Sequence, residues 1–240
     1  MLVLREAHLA KIAAYFASCK GKEGAGYLAC RAGRIASDPW TGGAATRFLA
    51  REFCPVPPDA IVSASATHVT WQTDSFVHAL GRAQGSNETV ALIHSHPGGF
   101  DCFSAQDDRN ERDLVDLAQR RLGHQAELIS LVRLPDSRLF GRVWLSPKES
   151  LPLDLTVALG QRFALHFPGR GRGGTPEFFN RQALALGPAF NEDLAQLRVG
   201  IVGCGGTGSA MALLLGRLGI RFLRLFVRDT VGETKFNLLY

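Results

Sequence analysis

Two histidines and a nearby acid form the part of this sequence best suited to chemistry. His94 and His96 follow the apolar run 89–93, which predicts a short buried strand. Side chains two positions apart lie on the same face of a strand, so both imidazoles face the same way. Pro97 and the glycines after it end the strand, and a helical pattern begins near Ser104.

An acid in the first turn of that helix, Asp107 or Asp108, can fold back onto the histidine pair. Two neutral imidazoles and one carboxylate suit zinc, and three protein ligands leave a fourth position for water. A zinc ion in such an open site lowers the pKa of water to about 7 and so produces a nucleophile. These residue types therefore predict a catalytic metal site rather than a structural one.

The spacing around the histidines resembles a known signature. HSHP at 94–97, six residues, Ser104, two residues and Asp107 are similar to the motif of the JAMM/MPN metalloisopeptidases, also called JAB domains. The resemblance covers roughly residues 5–146. It implies that Asp107 rather than Asp108 is the third zinc ligand, and that Ser104 hydrogen-bonds the oxyanion formed when water attacks the substrate carbonyl. Ser104 is also well placed to cap the helix, so both roles stay open.

The resemblance also gives a role to an acid far upstream. Glu23 stands just before a predicted strand that runs through Cys30. The family has a glutamate at this point, which acts as general base on zinc-bound water. Such a base has to lie near the metal without binding it, because it returns the proton to the leaving amine. Without the resemblance Glu23 would be one loop carboxylate among many, and Glu6 is a poorer competitor.

The remaining patterns predict the elements that position these residues. The resemblance to the JAMM/MPN family implies the fold class α/β (α+β), with a mixed, curved β-sheet flanked by helices. We expect a helix at 5–19, a loop with one short helix at 37–58, a strand at 61–71, a helix at 74–83 with Asp74 as its cap, and a hairpin of strands 127–133 and 138–145 that closes the domain.

The sequence changes character after residue 146. Proline, glycine and arginine residues predict a linker at 147–175 between a domain at 1–146 and a second at 176–240. In the second domain, strand 197–202, a glycine-rich loop, a helix and strand 221–227 predict a Rossmann-like βαβ unit. Its glycines permit a tight turn that brings phosphates to a helix N-terminus.

This second segment resembles the opening part of the ThiF-like, ubiquitin-activating-type adenylyltransferases. The residues that carry the resemblance are RQALALG at 181–187, GCGGTGS at 203–209 and the acid Asp229. It implies that Arg181 reaches ATP phosphates, often across a dimer, which would make the chain a homodimer through this domain. The nucleotide would be lined by Gly203, Gly205 and Gly208, with Asp229 nearby.

The second segment also departs from the ThiF-like pattern. The family usually has Asp-x-Asp after the second strand, whereas Val227-Arg228-Asp229 keeps only the second acid. The carboxylate that normally holds the ribose is therefore lost. Adenylation also needs the rest of the sheet and a magnesium-binding aspartate. We expect a truncated or remnant domain rather than an active ATP-dependent adenylyltransferase.

Composition limits the classes of function further. The chain has 240 residues, of which 46% are hydrophobic and 20% charged, and this predicts a folded globular protein. Its net charge of +5 comes from arginines spread along the sequence, so we expect no nucleic-acid partner. We see no leader and no membrane-spanning apolar run, and five scattered cysteines favour reduced thiols in a cytoplasm.

Together, the resemblances imply a zinc-dependent protease or isopeptidase. Its substrate would be a peptide or isopeptide bond after the C-terminal glycine of a ubiquitin-like protein. A non-catalytic MPN-type scaffold is the alternative from another class, although scaffolds usually lose the metal ligands and this sequence keeps them. The adenylyltransferase is the third alternative.

Overall fold

The computed structural model describes residues 1–168, 176–228, 230 and 232. This part of the chain divides into two compact units. The first contains Met1–Ser37 and Gly43–Pro168, and the second contains Asp38–Gly42 and the described residues from 176 onward. None of the helices among the described residues is long and apolar enough to cross a membrane.

The first unit is built around a mixed β-sheet. Its strands are β1 (Leu2–Arg5), β2 (Ala25–Ile35), β3 (Ala45–Pro55), β4 (Ile61–Ala64), β5 (Val69–Trp71), β6 (Thr89–Ser95), β7 (Leu128–Arg133), β8 (Leu139–Ser146), β9 (Glu149–Pro152), β10 (Thr156–Leu159) and β11 (Ala164–His166). Its helices are α1 (Glu6–Ser18), α2 (Thr73–Ser86) and α3 (Ala105–Leu122), with a 3-10 helix at Pro58–Ala60. In the described residues nine of these strands form one sheet in the order β11-β10-β1-β3-β2-β6-β7-β8-β9, and β4 and β5 form a separate hairpin.

Helices cover both faces of the large sheet. One core cluster contains Ile12 of α1 with Ile93 of β6, and the other contains Phe76 of α2 and Val115 of α3 with Leu92 of β6. Because side chains alternate along a strand, neighbouring residues of β6 enter different cores. The fold class expected from the sequence is thus confirmed.

Half of the region predicted as a loop with one short helix is a strand. Residues 45–55 form β3, which pairs antiparallel with β2 from Gly26↔Pro55 to Ile35↔Ala45. Phe48, Ala50 and Phe53 are buried on it. The prediction for 37–58 was wrong because strand formation here depends on β2, which lies far away in sequence.

Two smaller predictions also need correction. The strand expected at 61–71 is the hairpin of β4 and β5, which pair antiparallel around a turn at 65–68. Asp74 does not cap α2, because the cap position is Gln72 and Asp74 lies in the first turn. A carboxylate there still interacts favourably with the helix dipole.

The hairpin of β7 and β8 does not close the domain, and the predicted linker at 147–175 contains strands of the main sheet. Within the described residues, β9, β10 and β11 all lie in this segment. β10 pairs in parallel with β1, from Leu2↔Thr156 to Arg5↔Leu159. Leu153 and Ala158 are buried in the core. The paired strands lie at opposite ends of the unit's sequence, so local composition does not predict the pairing. Residues 169–175 of the predicted linker lie outside the described residues.

The second unit contains the predicted βαβ arrangement. Its elements are a 3-10 helix at Glu177–Phe179, α4 (Asn180–Leu186), α5 (Pro188–Gln196), β12 (Arg198–Val202), α6 (Gly206–Leu218) and β13 (Phe222–Phe226). β12 and β13 are parallel, from Arg198↔Phe222 to Val202↔Phe226, and α6 connects them. The partial Rossmann-like unit is confirmed.

Candidate metal centre

The two histidines converge at the end of β6, as their spacing predicted. His94 Nε2 and His96 Nε2 lie 3.0 Å apart, and both residues are buried. His96 is one residue beyond the strand, but its backbone N–H still donates to Arg133 O of β7, so the alternation continues. Ser95 points to the other side, where its hydroxyl accepts from Gly24 N–H.

Asp107 completes the group from the first turn of α3. Its Oδ1 lies 3.4 Å from His94 Nε2, and its Oδ2 lies 3.7 Å from His96 Nε2. The three residues form a set whose ligand atoms all lie within 4.8 Å of one another. Two imidazoles and one carboxylate at this spacing could hold a divalent metal ion.

A backbone carbonyl fixes the tautomer of His96. The distance from His96 Nδ1 to Phe100 O is 2.8 Å. Because a carbonyl oxygen only accepts, Nδ1 carries the proton and donates it to Phe100 O. In the neutral ring the lone pair is then on Nε2, which faces His94 and Asp107. This is the arrangement that a metal-binding histidine needs.

Burial and charge set the protonation of the three residues. Burial lowers the pKa of His94 to about 4, with Asp107 opposing the shift and the positive charges of His96 and Arg142 adding to it. Burial would also lower the pKa of His96, but the nearby carboxylate of Asp107, the hydrogen bond to Phe100 O and the negative charge of Glu23 outweigh it and raise the pKa. Burial would raise the pKa of Asp107, yet His96, His94 and Ser104 lower it well below its usual range. The group therefore combines an ionised acid with one imidazole that stays neutral.

Asp108, the rival acid, is directed elsewhere. Its Oδ1 lies 2.6 Å from Arg142 Nη1 on β8. Neighbouring residues on a helix point about 100° apart, so Asp107 and Asp108 serve different partners. Asp107 is the residue that the structure brings to the histidines.

Glu23 lies beside the metal group but outside it. It lines the same cavity as His94, His96 and Asp107, and only 7% of it is exposed. Burial raises the pKa of Glu23 to about 7, with His96 opposing the shift and Asp107 adding to it. Its backbone N–H donates to Ser65 O over 2.6 Å, which ties it to the turn between β4 and β5.

Ser104 is the N-cap of α3. Its hydroxyl accepts from Asp107 N–H over 3.1 Å, and its own N–H donates to Asp107 Oδ2 over 2.7 Å. The cap role that the sequence left open is therefore present. Ser104 also lines the cavity, so its hydroxyl is near the metal group.

The cavity has a volume of about 310 Å³ and includes residues that the sequence did not single out. Val69 and Trp71 of β5 and the preceding His68 form part of its wall. His68 Nδ1 lies 2.7 Å from Ser65 Oγ, and its Nε2 lies 3.2 Å from Ser63 Oγ. Nothing in the spacing of these residues indicates the cavity, because the β4–β5 hairpin reaches it only in the tertiary fold.

The glycine loop of the second unit has the predicted tight geometry. Gly203 has a φ of +86°, which favours glycine, and Gly205 is the N-cap residue of α6. A Cβ on Gly208 would collide with Gly203 O, so this glycine permits close packing of α6 on the loop. Arg181 is exposed on α4, and Asp229 lies outside the described residues. Nucleotide binding by Arg181, Asp229 and the glycines stays a prediction, as does a homodimer.

Comparison with known families agrees with this geometry. The family model for prokaryotic homologs of the JAB domain matches residues 5–144. This chain belongs to that family. The ThiF family model matches residues 179–237, so the JAB domain is followed by a ThiF-family segment. In the JAB domain the match ends within β8, although β9, β10 and β11 continue its sheet.

Other comparisons add little to the family assignment. No curated protein sequence matches this JAB-domain chain. The solution structure of protein DSY2949 from Desulfitobacterium hafniense is similar, at 15% identity and a TM-score of 0.42, over 67% of this chain and 94% of that chain.

Proposed function

We propose that the JAB domain is a zinc-dependent protease or isopeptidase that hydrolyses the bond after the C-terminal glycine of a ubiquitin-like protein. The observation that carries the proposal is the convergence of His94, His96 and Asp107 beside a buried acid, Glu23, in one cavity. The JAB and ThiF family matches support a ubiquitin-like protein as the partner.

The ligand spacing fits zinc. Bonds of about 2.0–2.2 Å in a tetrahedral site place ligand atoms about 3.3–3.6 Å apart. The two imidazole nitrogens are 3.0 Å apart, Asp107 Oδ1 is 3.4 Å from His94 Nε2, and Asp107 Oδ2 is 3.7 Å from His96 Nε2, so each carboxylate oxygen approaches one imidazole at about that spacing. His94 Nε2, His96 Nε2 and Asp107 would hold the ion, which when bound would supply Lewis acidity that lowers the pKa of water.

Glu23 would move the proton. A general base works best when its pKa is near the operating pH, and burial raises the pKa of Glu23 to about 7 in the metal-free protein. Its carboxylate would accept a proton from the attacking water and return it to the nitrogen of the leaving amine. Glu23 does not belong to the metal-binding set among the described residues, so its oxygens remain available for this transfer.

Ser104 would stabilise the charge that develops on the substrate carbonyl. A serine hydroxyl has lone pairs and one proton. The lone pair of Ser104 Oγ accepts from Asp107 N–H, which fixes the oxygen in place. Its proton would then be donated to the oxyanion, a contact that stabilises the transition state.

The test uses the whole chain and a ubiquitin-like protein with a peptide fused after its C-terminal glycine. The purified chain is expected to hold about one zinc ion, as an open site with three protein ligands would. Glu23→Gln should keep the zinc and lose cleavage, whereas His94→Ala should lose both. Glu52→Gln is the matched control, because Glu52 is exposed and pairs with Arg82 outside this cavity.

Two outcomes would contradict the proposal. Cleavage by Glu23→Gln at the parent rate would show that another group moves the proton. A parent chain that holds zinc and binds a ubiquitin-like protein without cleaving it would support the non-catalytic scaffold instead.

A further inference from the structure

One arginine on β8 reaches two acids of the helix that supplies the metal ligand. Arg142 Nη1 lies 2.6 Å from Asp108 Oδ1, and both Arg142 Nε and Nη2 lie 2.7 Å from Glu111 Oε2. Asp108 and Glu111 are three residues apart, so they occupy the same side of α3. The guanidinium thus forms ion pairs with two residues in the first two turns of α3.

Glu111 is the buried partner of Arg142. It is 1% exposed, and its other hydrogen bonds come from Trp144 Nε1 over 2.6 Å and from Ser130 Oγ over 2.6 Å. Ser130 and Arg142 are paired residues on β7 and β8, so they point toward α3 together. Arg142, Trp144 and Ser130 all donate to this carboxylate, so Glu111 fixes the orientation of the Arg142 guanidinium.

The same guanidinium lies against the loop that follows the histidines. Arg142 Cζ is 3.8 Å from the ring centroid of Phe103. The Phe103 ring lies 6.4 Å from the His94 ring and 5.3 Å from Phe140, which in turn lies 6.5 Å from His96. Arg142 therefore contacts an aromatic group that packs on the histidine pair.

We propose that Arg142 is a positioning residue of the metal centre. Through Asp108 it fixes the helix turn that carries Asp107, and through Phe103 it fixes the loop beside His94. The inference rests on the metal centre of the proposed function but not on cleavage. Residues that orient metal ligands in this way raise metal affinity because the ligands are already gathered when the ion binds.

A role in positioning also accounts for the burial of a charged network here. The side chain of Arg142 is 13% exposed and the side chain of Glu111 is 2% exposed. Taking such charges out of water costs free energy that their attraction does not reliably return, so stability alone is a weak reason for the pair. The directional contact from Arg142 to Asp108 gives the buried Arg142–Glu111 pair a positioning role at the site.

The experiment measures zinc affinity of the whole chain by competition with a chelator. Asp108→Asn and Arg142→Met are each expected to bind zinc about 10–100-fold more weakly, the usual cost of losing such a contact. Their double variant should bind zinc no more weakly than Arg142→Met alone, since Arg142→Met already removes the contact to Asp108. Asp116→Asn is the matched control, because Asp116 pairs with Arg120 over 2.7 Å on the same helix. Its affinity should stay within about twofold of the parent value.

Cobalt substitution separates positioning from general stability. The visible spectrum of bound Co²⁺ reports ligand geometry, so it should change in Asp108→Asn and stay the same in Asp116→Asn. Urea unfolding of the metal-free proteins gives their stability independently. If Arg142→Met does not fold, the comparison of Asp108→Asn with Asp116→Asn decides, because Asp108→Asn keeps the Arg142–Glu111 pair.

The outcomes distinguish this inference from the proposed function. A parent chain that binds zinc while Asp108→Asn matches Asp116→Asn in affinity and spectrum would overturn the role of Arg142 alone. Zinc losses that add in the double variant would also overturn it. A parent chain that binds no zinc would overturn both the metal centre and this inference.

Discussion

Ser104 and Asp107 hold each other through reciprocal hydrogen bonds. The backbone N–H of Ser104 donates to Asp107 Oδ2, and the backbone N–H of Asp107 donates to Ser104 Oγ. This capping box begins α3 and at the same time directs Asp107 toward His94 and His96. The same hydrogen bonds therefore begin the helix and orient the third candidate ligand.

The capping and catalytic roles of Ser104 can be separated by two substitutions. Ser104→Ala should lower the free energy of unfolding by about 1 kcal/mol, whereas Ser104→Gly should cost only about a few tenths of that amount. Both lose the hydroxyl, so both should cleave about 10²–10³-fold more slowly. Urea unfolding and cleavage kinetics are the measurements, and a Ser104→Gly variant with parent activity would leave only the cap role.

Removal of the metal should lower stability of the first unit. Zinc would bind the candidate ligands only where the folded chain brings them together, so free zinc at 100 times its Kd would add about 2.7 kcal/mol to the stability. A chelator should therefore lower the Tm of the parent. His94→Ala should have a Tm below that of the zinc-bound parent, and the chelator should not change it. His124→Ala is the control, because His124 is exposed beyond the end of α3. A parent Tm unaffected by chelator or added zinc would contradict the metal centre.

Glu23 should give the metal-free protein a specific pH dependence. Its pKa is raised from 4.5 to about 7 in the folded state, mainly by burial, so the folded state binds the proton more tightly than the unfolded chain. The stability it contributes is fully present below about pH 4.5 and is lost as the pH rises through about 7. Relative to Glu23→Gln, the parent should therefore become less stable across this range.

Urea unfolding in the presence of a chelator at a series of pH values tests that dependence. The quantity to follow is the free energy of unfolding of the parent minus that of Glu23→Gln. A difference that stays constant from pH 5 to pH 8 would show that Glu23 is solvated rather than buried in the cavity.

Two fragments test where the first unit ends. Residues 1–168 should unfold cooperatively, because they include β10, which pairs with β1, and the buried Leu153 and Ala158. Residues 1–146 lack these contacts and should melt at a lower temperature and bind a hydrophobic dye. Both fragments contain all the candidate zinc ligands, so a difference in melting temperature reports the contribution of residues 147–168 to the stability of the fold. Equal melting temperatures would restore the boundary at 146.

Local sequence patterns were sufficient to predict the elements that depend on short-range features. The apolar face of α3, its serine cap and the buried run before His94 are short-range features, and all three are present in the structure. β3 and β10 were missed because their formation depends on distant strands, β2 in one case and β1 in the other. A strand has no internal hydrogen bonds, so its partner decides whether it forms.

The sequence by itself predicted the groups of the candidate metal centre, and the resemblance to the JAMM/MPN signature selected Asp107 over Asp108. A strand places His94 and His96 on one face, and the spacing to Asp107 matches a helix start. Only the tertiary structure decided that Asp108 turns to Arg142, that burial raises the pKa of Glu23, and that the β4–β5 hairpin lines the cavity. The reason is that periodicity fixes directions within one element, whereas burial and ion pairing depend on elements that meet only after the chain has folded.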